Sequence, residues 1–129
     1  MHTKSKMVLT LVAGVALGAA AVQGLHAQAK PKAYLVTESE ILDRAALESY
    51  SSGLGSAMQA AGGHFIGGGT GPTEKITAVL GDPPKRFGVV EFENMDKAQA
   101  WLKSSGREGL APQRTKAIKL TRQFIFEGK

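Results

Sequence analysis

The ten residues GGHFIGGGTG, numbers 62–71, decide the fold class, because six glycines suit either a phosphate-binding loop or a bent strand. A P-loop requires the pattern G-x-x-x-x-G-K-[ST] and a helix after it. Gly63 and Gly68 have the outer spacing, but Gly69 stands where the lysine is required. A dinucleotide fingerprint fails too, because Pro72 occupies the place of a small residue. The stretch therefore predicts a strand that bends sharply, since glycines permit bulges and close backbone approach.

Strands and helices alternate on both sides of this bend. Apolar residues at three- and four-residue steps between Leu42 and Ala61 predict a helix that Asp43 caps and Gly62-Gly63 ends. Asn94 or Asp96 begins a second helix, and a third is predicted over residues 110–120. Strands are predicted over residues 33–38, 64–68, 75–80, 87–93 and 123–127, the fourth being the strongest.

This order of elements predicts an α+β fold. Strands divided by two helical regions in one small domain place the helices on one face of a mainly antiparallel sheet. The ferredoxin-like βαββαβ arrangement is the natural candidate.

The N-terminal segment is typical of a secretory signal. Lys4 and Lys6 precede an uncharged apolar run over residues 7–22, and the triplet Ala27-Gln28-Ala29 suits a cleavage site. We expect residues 1–29 to be removed and residues 30–129 to form one exported domain, periplasmic or secreted. A retained anchor is the alternative, but the run of about 16 residues is shorter than the roughly 20 of a spanning helix.

Composition excludes several classes of function. The chain has no cysteine, so disulfides, thiol catalysis and thiolate metal sites are excluded. Without Lys4 and Lys6 the formal charge falls from +5 to +3, and the remaining basic residues are scattered, most densely over residues 107–122. We interpret them as a solvated helix face, because a nucleic-acid site would show a basic stripe with interleaved aromatic residues. So small a domain leaves much surface in water and would gain from forming a homodimer.

Several segments in order resemble a known family. They are AYLV (33–36), GGHFIGGG (62–69), VVEFEN (89–94), AQAWLKS (98–104) and FIFEGK (124–129). Together they resemble the domain-of-unknown-function 1330 family of the dimeric α/β-barrel superfamily, over essentially all of residues 30–129. The resemblance implies a ferredoxin-like subunit whose sheet packs against that of a second copy. Related members of the superfamily include small monooxygenases, isomerases and haem-dependent enzymes, whereas this family has no settled activity.

The chain departs from the family pattern at two places. The family usually has an arginine before its Gly-Gly pair, where this chain has Ile66-Gly67-Gly68-Gly69. After the second helix the family tends to have Ser-x-x-Tyr, where this chain has Ser105-Gly106-Arg107-Glu108. This chain therefore lacks, at both positions, the residue that the family pattern would contribute to a polar site.

The strand FGVVEFE (87–93) supplies the first candidate catalytic residue. Alternation puts Phe87, Val89 and Glu91 on one face and Val90 and Phe92 on the other. If the latter two pack on the helices, Glu91 lies on the open face of the sheet, which would line a cleft. A carboxylate in an apolar cleft has a raised pKa and can act as an acid or base.

Other interpretations of Glu91 stay open. It can pair with Arg114 or Arg122, or be solvated. The candidate ligand-binding residues of the cleft are Tyr34, Phe87, Val89 and Arg114.

His64 is the second candidate catalytic residue and the one histidine outside residues 1–29. One histidine cannot form a usual zinc site, so no metal is predicted. It could act as a proton shuttle or an axial haem ligand, or simply lie half-buried and hydrogen-bonded. Tyr34 and Tyr50 sit at apolar-periodic positions, which favours core packing over a place in the cleft, and Trp101 lies on the buried face of its helix.

Three functions remain compatible with the sequence. The first is a small exported homodimer that binds a small, partly apolar molecule in the open-face cleft, without a cofactor. The second is an isomerase-like or monooxygenase-like enzyme with Glu91 and His64 as acid and base. The third is an interaction protein whose specific surface is its dimer face. No membrane or nucleic-acid partner is expected for the exported domain.

Overall fold

A computed structural model describes residues 29–68 and 76–129. The predicted signal lies outside these residues, apart from Ala29, as does Lys75 at the start of one predicted strand. Within the described ranges, none of the helices combines the length and apolar character needed to cross a membrane.

The protein is an α+β domain with one four-stranded antiparallel sheet, as the sequence predicts. The order across the sheet is β2-β3-β1-β4, so the two central strands are the first and third, the arrangement of a ferredoxin-like βαββαβ fold. The elements are β1 (Ala33–Ile41), α1 (Arg44–Ala60), β2 (His64–Gly68), β3 (Arg86–Phe92), α2 (Met95–Leu102), α3 (Ser105–Glu108), α4 (Ala111–Ala117) and β4 (Ile118–Glu127).

Helix α1 begins and ends where its sequence predicts. The Asp43 side chain accepts a hydrogen bond from the Ala46 backbone nitrogen at 2.9 Å, which satisfies one free donor of the first turn. At the other end Gly62 has φ of 81°, and the Gly63 nitrogen donates to the Met58 carbonyl oxygen at 2.9 Å. This is a Schellman motif, which needs a residue in the left-handed region and therefore favours glycine.

The glycine-rich stretch forms an irregular edge strand. The pairing of β2 with β3 shifts register between Phe65 and Gly67, as at a β-bulge. Gly68 has φ of 67°, and a side chain there would collide with the Phe87 carbonyl oxygen. The predicted bend is confirmed as far as Gly68; residues 69–71 lie outside the described part of the chain.

Two predicted elements are wrong. Residues 76–80 form no strand, and Val79 and Leu80 are 98% and 95% exposed, because the run pairs with no described strand and strand propensity depends on a partner. The third helix stops at Ala117 rather than at residue 120. Ile118 and Leu120 belong to β4, where the pairing with β1 decides their conformation.

The hydrophobic core lies between the helices and one face of the sheet. Val90 and Phe92 of β3 are buried there, as the alternation predicts, together with Trp101 of α2. A second cluster joins α1 to the start of β4 through Leu47, Tyr50, Ala117 and Ile118. The helices thus cover one face, which we call the helix face, and no element within residues 29–68 and 76–129 covers the other, which we call the open face.

Candidate functional site

Strand pairing brings the predicted catalytic residues together on the open face. His64 stands opposite Glu91, Glu91 opposite Tyr34, and Tyr34 opposite Phe126. Residues directly opposite each other in an antiparallel sheet point to the same side. The four residues therefore form one row across all four strands, and Tyr34 belongs to the open face rather than to the core.

Glu91 is ionised and paired in this row. The Lys32 ammonium lies 2.8 Å from its carboxylate oxygen. This hydrogen bond is the main cause that lowers the pKa of Glu91, with smaller contributions from the charge of Lys32, the Tyr34 hydroxyl and the charge of His64. The expected rise in the pKa of Glu91 is therefore wrong for the subunit, because burial opposes these effects only partly.

The predicted partners of Glu91 are engaged elsewhere. Arg122 binds both carboxylate oxygens of Glu38, at 2.9 and 2.7 Å, on the open face. The hydrogen bond to Glu38 raises the pKa of Arg122. Arg114 lies on the opposite side of the sheet, so it does not join Tyr34 and Glu91.

The rest of the open face is largely apolar. Phe87 and Val89 lie half-buried on it, as their alternation with Val90 and Phe92 predicts. The rings of Tyr34 and Phe126 stack with centroids 5.2 Å apart, and Phe124 and Phe126 remain 45% and 46% exposed. His64 is exposed rather than half-buried.

A cavity of about 50 Å³ lies on the helix face. Its walls come from the sheet, from α1 and from the segment between α2 and β4. They combine apolar side chains with three arginines, and none of the lining residues that the structure describes is an aspartate or glutamate. The lining consists of Leu35, Thr37, Tyr50, Leu54, Met58, Phe65, Arg86, Gly88, Val90, Trp101, Arg107, Leu110, Arg114, Ile118, Leu120 and Gln123.

Arg86 is the most deeply placed charge of this cavity. It is 7% exposed, and one terminal nitrogen donates to the Ser39 hydroxyl at 3.1 Å. Its Nε is buried and has no hydrogen-bond partner in the part of the chain that the structure describes. Burial lowers the pKa of Arg86, which reflects the cost of a desolvated cation.

A polar chain holds the second arginine. Arg107 of α3 contacts the Leu102 carbonyl oxygen and the Gln123 side-chain oxygen, each at 3.4 Å. The Gln123 amide donates in turn to the Thr37 hydroxyl at 2.9 Å. The hydrogen-bond partners of Arg107 among the described residues, the Leu102 carbonyl and the Gln123 side chain, are neutral, so they orient its charge without neutralising it.

Tyr50 lies between the arginines. Burial raises the pKa of its hydroxyl, against the charges of Arg114, Arg86 and Arg107 and a hydrogen bond from Arg114. Tyr50 therefore has the core position that its periodicity favours, and it stays protonated at neutral pH.

Sequence reasoning placed the site on the open face and missed the cavity. The basic residues over 107–122 looked like a solvated helix face, whereas Arg107 and Arg114 line the cavity with Arg86. One signal was present in the sequence. Arg86 precedes Gly88, Val90 and Phe92 at two-residue steps, which puts its side chain on the buried face of β3.

The described residues contain no cluster of three or more histidine, aspartate or glutamate side chains that could hold a metal ion. A lone exposed His64 beside one carboxylate falls short of the three or four ligands of a usual zinc site.

Comparisons with known proteins identify the fold. The family model described as "Domain of unknown function (DUF1330)" matches residues 32–128. No curated protein matches the chain in sequence. The chain is similar in structure to the RPA0582 protein of unknown function from Rhodopseudomonas palustris, with a TM-score of 0.61 and 11% identity, over 78% of this chain and 84% of that one. It is also similar to SnoaB, a cofactor-independent oxygenase from Streptomyces nogalater, with a TM-score of 0.51 and 13% identity, over 77% of this chain and 94% of that one. At these identities the likeness concerns the fold, that of the dimeric α/β barrels.

Proposed function

The chain belongs to the DUF1330 family, and we propose that it binds a small molecule in the helix-face cavity, as a homodimer whose subunits pack their open faces together. The observation that carries the binding function is a partly enclosed cavity inside a small domain. Binding sites for small molecules are concave, mainly apolar and equipped with a few convergent polar groups.

The composition of the cavity fits this function. Leu54, Met58 and Trp101 supply apolar surface, while Arg86 and Tyr50 present polar groups from different elements. We propose the cavity rather than the open-face cleft as the ligand site, because the two carboxylates Glu91 and Glu38 of the open face are already paired with Lys32 and Arg122.

Gly88 offers a direct test of the cavity. It lines the cavity, and a Cβ there would contact the Phe65 ring at an ordinary 3.6 Å, so a larger side chain can extend into the free space. In a thermal-shift screen of small carboxylates, amides and alcohols, we expect compounds that stabilise the wild type to lose their effect on Gly88→Val.

The matched control is Gly67→Val, which adds the same side chain on the neighbouring strand, outside the cavity lining. Compounds should still stabilise this variant. If they stabilise Gly88→Val equally, binding takes place elsewhere and the proposed site is wrong.

The homodimer is supported by the exposed aromatic side chains of the open face and by the fold it shares with dimeric α/β barrels. The face carries both signs of charge, in the pairs Lys32–Glu91 and Arg122–Glu38, so it can meet a copy of itself without net repulsion.

Light scattering after size exclusion tests the dimer. The wild type should have twice the subunit mass, and Phe126→Asp should give a folded monomer, because it puts a charge within the contact. Val79→Asp likewise replaces an apolar side chain with a carboxylate, but at an exposed site outside the sheet, and this variant should remain dimeric. A monomeric wild type would contradict the proposal.

Acid–base catalysis on the open face is a second candidate function, favoured by the row of His64, Glu91 and Tyr34. The lowered pKa of Glu91 suits a general base rather than an acid. Any turnover that depends on this row should be lost in Glu91→Gln, and turnover that survives the substitution would exclude Glu91 as the base.

We also propose that the domain is exported, on the basis of the apolar run over residues 7–22 and the Ala27-Gln28-Ala29 triplet. Expression of the full chain in a bacterial host should give an extracytoplasmic product whose mass corresponds to residues 30–129. A full-length product in the membrane fraction would instead support a retained anchor.

A further inference from the structure

We infer that the helix-face cavity binds the carboxylate group of a small monocarboxylic acid, with Arg86 as the cation that receives it. This inference rests on the proposed function, because it names the ligand class of the same cavity. It goes further in assigning the charge of the ligand and the residue that recognises it.

Arg86 has no counter-ion among the residues that the structure describes. The guanidinium is buried, its hydrogen-bonded partner Ser39 is a neutral hydroxyl, and its Nε donates to nothing in the described residues. Buried charges in proteins are normally paired, since an isolated ion loses its hydration without compensation. A ligand anion would supply the missing charge and accept from the free Nε.

The groups that line the cavity with Arg86 add further positive charge and no negative charge. The other ionisable side chains lining the described cavity are Arg107, Arg114 and Tyr50. Arg107 is held by neutral oxygens, and the charge of Arg114 acts on Tyr50, where it lowers the pKa of the hydroxyl against the effect of burial. Tyr50 cannot serve as the anion, because burial raises the pKa of its hydroxyl and keeps it neutral. Three cations thus converge with no carboxylate among them.

The volume and lining of the cavity limit the size and character of the ligand. A cavity of about 150 Å³ is known to hold benzene. The present cavity, at about 50 Å³, has room for a few heavy atoms. Leu54, Met58 and Leu110 line it together with the arginines, so one end of the ligand is apolar. On that scale the cavity takes little more than the carboxylate group itself, whose planar shape suits the fork of a guanidinium, and the short apolar end of the ligand lies toward the cavity opening.

The test uses acetate and propionate beside their neutral analogues acetamide and propionamide. Binding is measured by calorimetry and thermal shift on the full exported domain, with ionic strength held constant by sodium chloride. We expect the acids to bind at least about tenfold more tightly than the amides, because a charge-assisted hydrogen bond is lost with the amide.

Arg86→Met removes the charge and keeps much of the side-chain volume. We expect this variant to lose the preference for acids, while its own melting temperature stays the same or rises, because a desolvated cation is replaced by an apolar group. Lys116→Met is the matched control, since Lys116 is exposed on α4 close to Arg114 and lies outside the lining. It should bind acids as the wild type does.

A measurement on the wild type tests the role of Arg86 even if the Arg86→Met variant does not fold. In nitrogen-15 spectra, the Nε–Hε signal of Arg86 should shift on addition of propionate and stay in place with propionamide.

The outcomes separate the two proposals. If acids and amides bind equally and Gly88→Val abolishes both, the cavity is a binding site but the inference about charge is wrong. If neither the acids nor the amides bind in the cavity, both proposals are contradicted for ligands of this size: binding in the cavity and recognition of a carboxylate by Arg86. Preference for inorganic phosphate over propionate would overturn the assignment to carboxylates.

Discussion

The two faces of the sheet treat charge in opposite ways. On the open face, Glu91 pairs with Lys32 and Glu38 pairs with Arg122, so the cations there have partners within the chain. On the helix face, Arg86 is buried beside a neutral serine. The exposed cations of these two pairs are neutralised within the chain, whereas the buried Arg86 has no carboxylate partner among the described residues.

This difference indicates what each face is suited to. A face with internal ion pairs and exposed aromatic rings can pack against a copy of itself at low electrostatic cost. A buried cation without a carboxylate is costly for folding and useful for binding, because an anionic ligand removes the cost as it binds. This contrast supports the proposals of assembly through the open face and of ligand recognition on the helix face.

The largest expected effect comes from truncating an aromatic ring on each face. Phe92 is fully buried against the helices, so Phe92→Ala should lower the free energy of unfolding by about 3–5 kcal/mol. Phe124→Ala on the open face should lower the free energy of unfolding of a monomer by much less. Denaturant titrations at two protein concentrations measure both changes.

Protein concentration sharpens this first prediction. If the open face is a dimer contact, the effect of Phe124→Ala should depend on concentration and that of Phe92→Ala should not. Equal and concentration-independent losses would mean that the two faces are buried alike within one subunit.

The second expected effect concerns the partner of the buried cation. Ser39→Ala leaves Arg86 with less hydrogen bonding in a buried site, which should cost about 1–3 kcal/mol of stability. The exposed Ser56→Ala on α1 is the control and should change little. A saturating small carboxylate should restore part of the stability that Ser39→Ala loses. If Ser39→Ala is as stable as the wild type, water reaches Arg86 freely and replaces the serine hydroxyl.

Most of the fold could be predicted from the sequence, because strand alternation and helix caps are short-range patterns. Strand β3 alternates buried and half-buried residues, and the caps of α1 at Asp43 and Gly62 are short-range motifs. The end of α4 was not accessible. Residues 110–120 suit a helix by themselves, and the conformation of Ile118 and Leu120 is set by pairing with β1, some eighty residues away in the chain.

Less of the candidate site could be predicted, because it too depends on contacts between residues far apart in the sequence. Alternation correctly placed Glu91, Phe87 and Val89 on one face, and it could have placed Arg86 on the other. It could not bring Arg86, Arg107 and Tyr50 around one cavity, because these residues come from β3, α3 and α1 and meet only when the helices pack. The ion pair of Glu91 with Lys32 depends likewise on a contact between residues 59 apart.

The smallest expected effect is the pH dependence of the pair on the open face. The lowered pKa of Glu91 means that its carboxylate stabilises the fold above its ordinary pKa of 4.5, and that this stability is lost as the pH falls through the folded value. The raised pKa of Lys32 means that its ammonium contributes below its ordinary pKa of 10.5, and that the contribution is lost as the pH rises through the folded value.

Glu91→Gln should therefore be slightly less stable than the wild type between these limits and equal to it at both extremes. Melting temperatures of the two proteins measured from pH 3 to 11 check this, with the exposed Glu48→Gln on α1 as the control. A stability difference between wild type and Glu91→Gln that grows as the pH falls below 4.5 would show that Glu91 favours the protonated form. The open face would then hold a carboxyl group poised as an acid, and the contrast between the two faces would no longer stand.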